Sequence, residues 1–139
     1  MTFDDIVADF ELLDDWEDRY RYVIELGRKL APLPIDAKTD ANKVRGCASQ
    51  VWITSHVENG PQGARLSLAG ESDSHIVQGL IAILLALTNG KGAAEIQDMN
   101  IEGRFAALGL KDHLTPQRSN GLASMVGRIR SDARQVLAG

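Results

Sequence analysis

One stretch of this chain reads as a β-hairpin, and the sequence on both sides of it reads as helix. Val51 to Val57 is rich in β-branched and aromatic residues. Asn59-Gly60-Pro61-Gln62-Gly63 gathers turn formers. Ala64 to Ala69 then alternates, with Leu66 and Leu68 on one side and Arg65 and Ser67 on the other. The order helix, helix, hairpin, helices predicts an α+β fold. Its expected form is a small antiparallel sheet, the hairpin plus at least one more strand, packed against helices.

The helical segments carry their own punctuation. Thr2 and Asp5 have capping-box spacing, and Phe3, Ile6, Val7, Phe10 and Leu13 follow at helical intervals. A second helix is expected over residues 15–30, with Trp16, Tyr20, Val23 and Gly27 on one face and Pro32 and Pro34 beyond its end. Residues 36–45 are polar and lack a period, which predicts a loop. Ser72 or Asp73 is placed to cap a helix over residues 74–87, whose Ile76, Leu80, Ile81, Leu84 and Leu85 predict deep burial. Asn89-Gly90-Lys91-Gly92 stops it, and lacks the pattern of a phosphate loop. Short helices over residues 93–97 and 101–108 end at Gly109. Thr115-Pro116 opens the last helix, with Leu122, Met125, Ile129 and Val136 as its inner face.

With 139 residues, no repeat and no internal linker, the chain is expected to form a single domain over residues 1–139. The formal net charge of −4 argues against nucleic acid as a partner. The charge is unevenly placed. Residues 4–18 hold eight acidic residues and no basic one, and residues 19–45 hold seven basic against three acidic. A solvated helix face and a docking surface both fit that distribution. The apolar run Leu80–Leu87 is far shorter than the ~20 residues that span a bilayer. The N-terminus lacks the features of a signal or transit peptide. The expectation is a cytoplasmic protein without a membrane partner.

The only cysteine, Cys47, follows Lys43, Val44, Arg45 and Gly46 at a loop-to-strand junction. One sulfur excludes an intrachain disulfide and a four-cysteine zinc or iron–sulfur site. Two readings stand beside each other: an inert, buried small hydrophobe, or a working thiol. Nearby cations lower a thiol pKa and burial raises it, so residue types alone leave the balance open. Acyl transfer requires a base, for which His56, His75 and His113 are the candidates. Peroxide reduction lacks a second cysteine to resolve a sulfenic acid. Sulfur-to-sulfur transfer asks least: a thiolate, an approach path and a partner carrying activated sulfur. The three histidines have no metal-site spacing with Cys47.

Three runs together resemble the SufE/CsdE family of sulfur acceptors. The first is Val44-x-Gly46-Cys47-x-Ser49-x-Val51-Trp52. The second is Gly70-Glu71-Ser72-Asp73 leading into Ile76-Val77-Gln78-Gly79-Leu80-Ile81-Ala82. The third is Leu114-Thr115-Pro116-Gln117-Arg118-Ser119-Asn120-Gly121-Leu122. They occur in the family's order and span nearly the whole chain. Ala48 departs from the glutamine the family often carries.

The resemblance implies a fold similar to the IscU-like iron–sulfur scaffold, without the cysteines that scaffolding needs. It implies a cysteine desulfurase of the SufS or CsdA type as partner, with pyridoxal phosphate in the desulfurase and no cofactor here. Cys47 would carry the sulfur, stimulate the desulfurase by removing its product, and pass the sulfur to a SufBCD-type assembly complex. Gly46 and Ser49 would shape the loop, and Arg45 and Arg118 would supply positive potential or partner contacts. Asp73 would hold the loop at rest, or serve as a plain helix cap. An exposed first-turn residue is the alternative for Arg118. The resemblance leaves a homodimer open. An allosteric adaptor that carries no sulfur and a cysteine-dependent thiol hydrolase are the alternative functions.

Overall fold

The computed structural model describes residues 2–61 and 63–138. Among them are six α-helices: α1 (Phe3–Glu11), α2 (Trp16–Arg28), α3 (His75–Thr88), α4 (Ala93–Asp98), α5 (Ile101–Ala107) and α6 (Pro116–Ala138). Strands β1 (Val51–Gly60) and β2 (Gly63–Ser72) form one antiparallel hairpin between α2 and α3. The fold is α+β.

Local signals account for most element ends. Thr2 and Asp5 exchange backbone-to-side-chain bonds of 2.9 and 3.2 Å, completing the capping box of α1. Asp15 caps α2 by accepting from the Glu17 amide at 2.8 Å. Gly90 and Gly109 take positive φ angles of 78° and 73° after α3 and α5, where a side chain would be strained. The cap of α3 is Ser74, whose hydroxyl accepts from the Val77 amide at 3.4 Å, and not Ser72 or Asp73. Both of those are occupied elsewhere: the Ser72 hydroxyl accepts from the Ser74 amide, and the Asp73 carboxylate reaches back to Gln50.

The hairpin is longer and its turn tighter than the composition implied. Pairing runs from Val51 opposite Ser72 to Gly60 opposite Gly63. Asn59, Gly60 and Gly63 are therefore strand residues, and Gln62 lies outside the described residues. The expected further strand is not formed among the described residues. Isolated bridges stand at the two edges instead, Lys43 with Trp52 and Arg65 with Gly92. Each edge is met by a turn or a loop whose chain leaves after one or two contacts, so no ladder propagates.

The core lies between the hairpin and the helices. Val51, Ile53, Leu66 and Leu68 are buried on the inner face, with α3 laid across β2. Leu80, Ile81, Ile83 and Leu84 of α3 are 0% exposed. Each such side chain contributes roughly 1.5–3 kcal/mol by burial, which outweighs the ~1 kcal/mol cost of Gly79 in mid-helix. Gly79 has a reason to be there. A Cβ at that position would sit 2.1 Å from the Val23 carbonyl oxygen, and one on Gly27 would sit 2.7 Å from the Gly79 amide nitrogen. Two glycines thus let α2 and α3 touch backbone to backbone. On α6 the buried residues are Gly121, Met125, Val126, Ile129 and Ala133, while Leu122 and Val136 lie at the margin, half-buried. No described helix is long and apolar enough to cross a membrane.

Candidate functional site

Cys47 sits on a loop that the backbone closes at its base. The Val44 amide donates to the Val51 carbonyl at 2.8 Å, and the Ile53 amide donates to the Asn42 carbonyl at 2.9 Å. Residues 42–44 therefore form a short arm on the free edge of β1, and residues 45–50 bulge from it. The turn into the loop uses Gly46 at φ +89°, a conformation that favours glycine. A Cβ on Gly46 would also lie 2.5 Å from the Ser124 hydroxyl of α6.

The loop folds the thiol inward. Cys47 is half-buried against the core, and its thiol donates to the Gly121 carbonyl oxygen at 3.5 Å. A cavity of about 20 Å³ adjoins the sulfur. Cys47, Ala48 and Ser49 form its loop side, Val77 of α3 its floor, and Gln117, Arg118, Gly121 and Met125 of α6 its far wall. That space suits roughly one water-sized group. Burial pushes the thiol pKa above its ordinary value of 9.0. Of the two opposing effects read from the sequence, the direction in the folded loop is that of burial.

Asp73 reaches the same loop from the other side. Its carboxylate accepts from the Gln50 amide at 3.0 Å, and its own amide donates to the Gln50 carbonyl at 3.3 Å. The bonds meet the chain three residues after the sulfur. Ser49 is half-buried at the cavity, and Arg118 is exposed at its rim. Arg45 is also exposed. Among the described residues, neither guanidinium joins an ion pair. The structure thus brings Gly46, Cys47, Ser49, Asp73 and Arg118 to one loop and its pocket, with Arg45 on the outer side.

The histidines do not join them. His56 and His75 are exposed, and His113 stacks on Trp16 with ring centres 3.6 Å apart. None lines the cavity at Cys47. No described group of three His, Cys, Asp or Glu residues is placed to hold a metal ion.

The sequence analysis does not single out as site residues the wall residues Val77, Gln117, Gly121 and Met125, nor Ser124 beneath Gly46. The signal was present in the spacing of the last helix. Gln117, Gly121 and Met125 fall four residues apart and share one face, which the apolar pattern alone did not mark as a site.

Comparison with known proteins places this arrangement. The domain described as "SufE: Fe-S metabolism associated domain" matches residues 4–133, which include the cysteine loop, the Asp73 tie and the α6 wall. The chain belongs to the SufE family. An uncharacterized SufE-like protein of Rhizobium meliloti (strain 1021) is 51% identical over 132 residues, covering 95% of this chain and 94% of that one. Another from Rhizobium etli is 52% identical over 133 residues, covering 96% and 90%. The solution structure of a hypothetical protein from Thermus thermophilus superposes with a TM-score of 0.77 at 20% identity, covering 100% of both chains. That likeness shows the fold. Membership in the family ties this SufE-family chain to iron–sulfur metabolism.

Proposed function

We propose that this protein is a sulfur carrier that accepts persulfide sulfur on Cys47 from a pyridoxal-phosphate-dependent cysteine desulfurase of the SufS or CsdA type. The observation that carries the reading is the thiol itself. It is the chain's one cysteine, held on a loop by a few hydrogen bonds, beside a cavity sized for one small group. In the transfer, the Cys47 thiolate attacks the outer sulfur of the desulfurase persulfide. A sulfur–sulfur bond forms on Cys47 as the donor's sulfur–sulfur bond breaks. The donor cysteine leaves as thiolate and takes up the proton that Cys47 gave up, so no external oxidant or reductant is needed.

The raised thiol pKa fits a protected resting state. At neutral pH the tucked thiol is protonated and a weak nucleophile. Releasing residues 45–50 would solvate the sulfur and so remove the cost that burial places on the thiolate. Asp73 is the tie that such a release must break. Ser49 and Gly46 set the path of the loop. The loaded sulfur would pass to a SufBCD-type assembly complex, and its removal from the desulfurase would accelerate turnover. A cytoplasmic setting, where a lone thiol stays reduced, suits this chemistry.

The adaptor reading makes a different prediction for one substitution. Sulfide release by the desulfurase in the presence of a reductant is measured with wild-type protein and with Cys47→Ser. A carrier loses its stimulation with the thiol. Stimulation undiminished in Cys47→Ser would establish the adaptor. The hydrolase reading lacks support, since no histidine lines the cavity.

A further inference from the structure

Arg128 and Asp132 lie on α6 well past the cavity, yet Arg128 reaches the chain at the base of the same loop. Asp132 accepts from the Ser55 hydroxyl of β1 at 3.0 Å. The Arg128 Nε donates to the two Asp132 carboxylate oxygens at 3.2 and 3.3 Å. Its Nη2 donates to the Ala41 carbonyl oxygen at 3.0 Å. Ala41 immediately precedes the arm, residues 42–44, that closes the base of the cysteine loop.

These residues continue a line begun at the sulfur. Gly121 meets the Cys47 thiol, Ser124 underlies Gly46, and Met125 walls the cavity. Arg128 then holds Ala41, and Asp132 holds Ser55. Positions 121, 124, 125, 128 and 132 recur at steps of three and four and so form one stripe along the helix. A different face fastens the helix to the body. Arg130 pairs with Glu102 at 2.7 Å and donates to the Met99 carbonyl at 3.0 Å, and Gln97 donates to the Arg130 carbonyl at 2.6 Å. Ile129 and Ala133 are 0% exposed in the core. The helix is therefore seated without Arg128, and the guanidinium is free to act on the arm.

We infer that Arg128, oriented by Asp132, is a positioning residue for Cys47: it pins the arm at Ala41 to α6 and so keeps the thiol seated in the α6 pocket. Arginine is required for the geometry. Its planar fork engages a carboxylate through Nε and still presents a second nitrogen to a carbonyl. Lysine at 128 retains the pair with Asp132 along the helix but has a single nitrogen to share with Ala41. The consequence for sulfur transfer rests on Cys47 being the carrier; the effect on thiol seating does not.

The test is the rate of Cys47 alkylation by iodoacetamide, followed by intact mass on the full chain without any desulfurase. Arg128→Lys and Arg128→Ala are compared with wild type, and amide hydrogen exchange is read at Val44 and at Leu84. The expected result is alkylation faster by roughly three- to tenfold in both variants, the factor for losing one hydrogen bond that holds the closed state. Exchange should rise at Val44 and stay at the wild-type level at Leu84. Alkylation at the wild-type rate in Arg128→Lys overturns the inference. So does a parallel rise at Val44 and Leu84, which a merely structural role would produce. Neither readout depends on sulfur delivery, so a failed carrier assay leaves this result standing, and the reverse holds too.

Discussion

The α2–α3 crossing and the cysteine loop are both close contacts between neighbouring segments, and they are built in opposite ways. At the crossing, Gly79 and Gly27 bring two backbones together inside an apolar core, and Val23 is 0% exposed. At the loop, a thiol-to-carbonyl contact and an aspartate-to-amide pair hold half-exposed chain against α6 and the turn that precedes α3. Burial of large apolar surface is hard to undo locally, whereas one or two hydrogen bonds of about 1 kcal/mol each are readily exchanged for water. The scaffold resists local opening, whereas the loop is held by bonds that water can replace. That contrast is what a protein needs if its reactive sulfur is guarded alone and presented to a partner.

The sharpest way to break the contrast is to substitute on the scaffold side. Gly79→Ala places a Cβ 2.1 Å from the Val23 carbonyl oxygen, so the helices must move apart. The expected loss is about 3 kcal/mol or more, read as a lowered urea midpoint. Alkylation of Cys47 should then accelerate only as far as global unfolding accounts for. A stability near wild type would show that the crossing has slack the structure does not reveal.

The matching substitution on the loop side should behave oppositely. Asp73→Ala removes the acceptor for the Gln50 amide but not the cap of α3, which is Ser74. Loop opening should become easier by about 1 kcal/mol, roughly fivefold in alkylation rate, with the urea midpoint almost unmoved. A large fall in the midpoint with no change in alkylation would make Asp73 part of the scaffold instead.

The smallest effect is one of pH. Burial raises the Cys47 pKa above 9.0, so the native state holds its proton more tightly than the unfolded chain. The associated stability is fully present below the unfolded value and is lost as pH rises through the higher folded one. Alkylation of the native protein should therefore rise with a midpoint above 9.0, and shift downward in Asp73→Ala as the sulfur becomes hydrated. An alkylation midpoint below 9.0 in the wild type would mean that the cations, not burial, govern the thiol.

The two regions also differed in how plainly the sequence announced them. The scaffold is local and apolar: the Thr2–Asp5 box, the hairpin alternation and the run through Leu80–Leu87 each specify an element from their own neighbourhood. The loop was half legible. Gly46 and Cys47 stood out by residue type, and the family motifs added Ser49, Asp73 and Arg118. The arm at residues 42–44 reads as plain loop in the sequence because it pairs through backbone groups, and polar side chains carry no period there. Arg128 and Asp132 carry no signal in the sequence, since charges at a four-residue spacing on a helix ordinarily pair in water. Only tertiary placement shows that they reach Ala41 and Ser55. The Ser74 cap is hidden for a related reason: Ser72 and Asp73 are equally good caps by type, but the Ser72 hydroxyl accepts from the Ser74 amide and Asp73 is drawn to the distant Gln50.

On the proposed function, Cys47 receives a sulfur atom. The protein is mixed with a cysteine desulfurase of the SufS or CsdA type and L-cysteine, and its intact mass is measured without reductant. The expected result is a gain of one sulfur on the wild type, reversed by added thiol reductant and absent from Cys47→Ser. A wild-type chain that gains no sulfur while the desulfurase turns over, or a Cys47→Ser chain that gains it equally, would rule out Cys47 as the carrier.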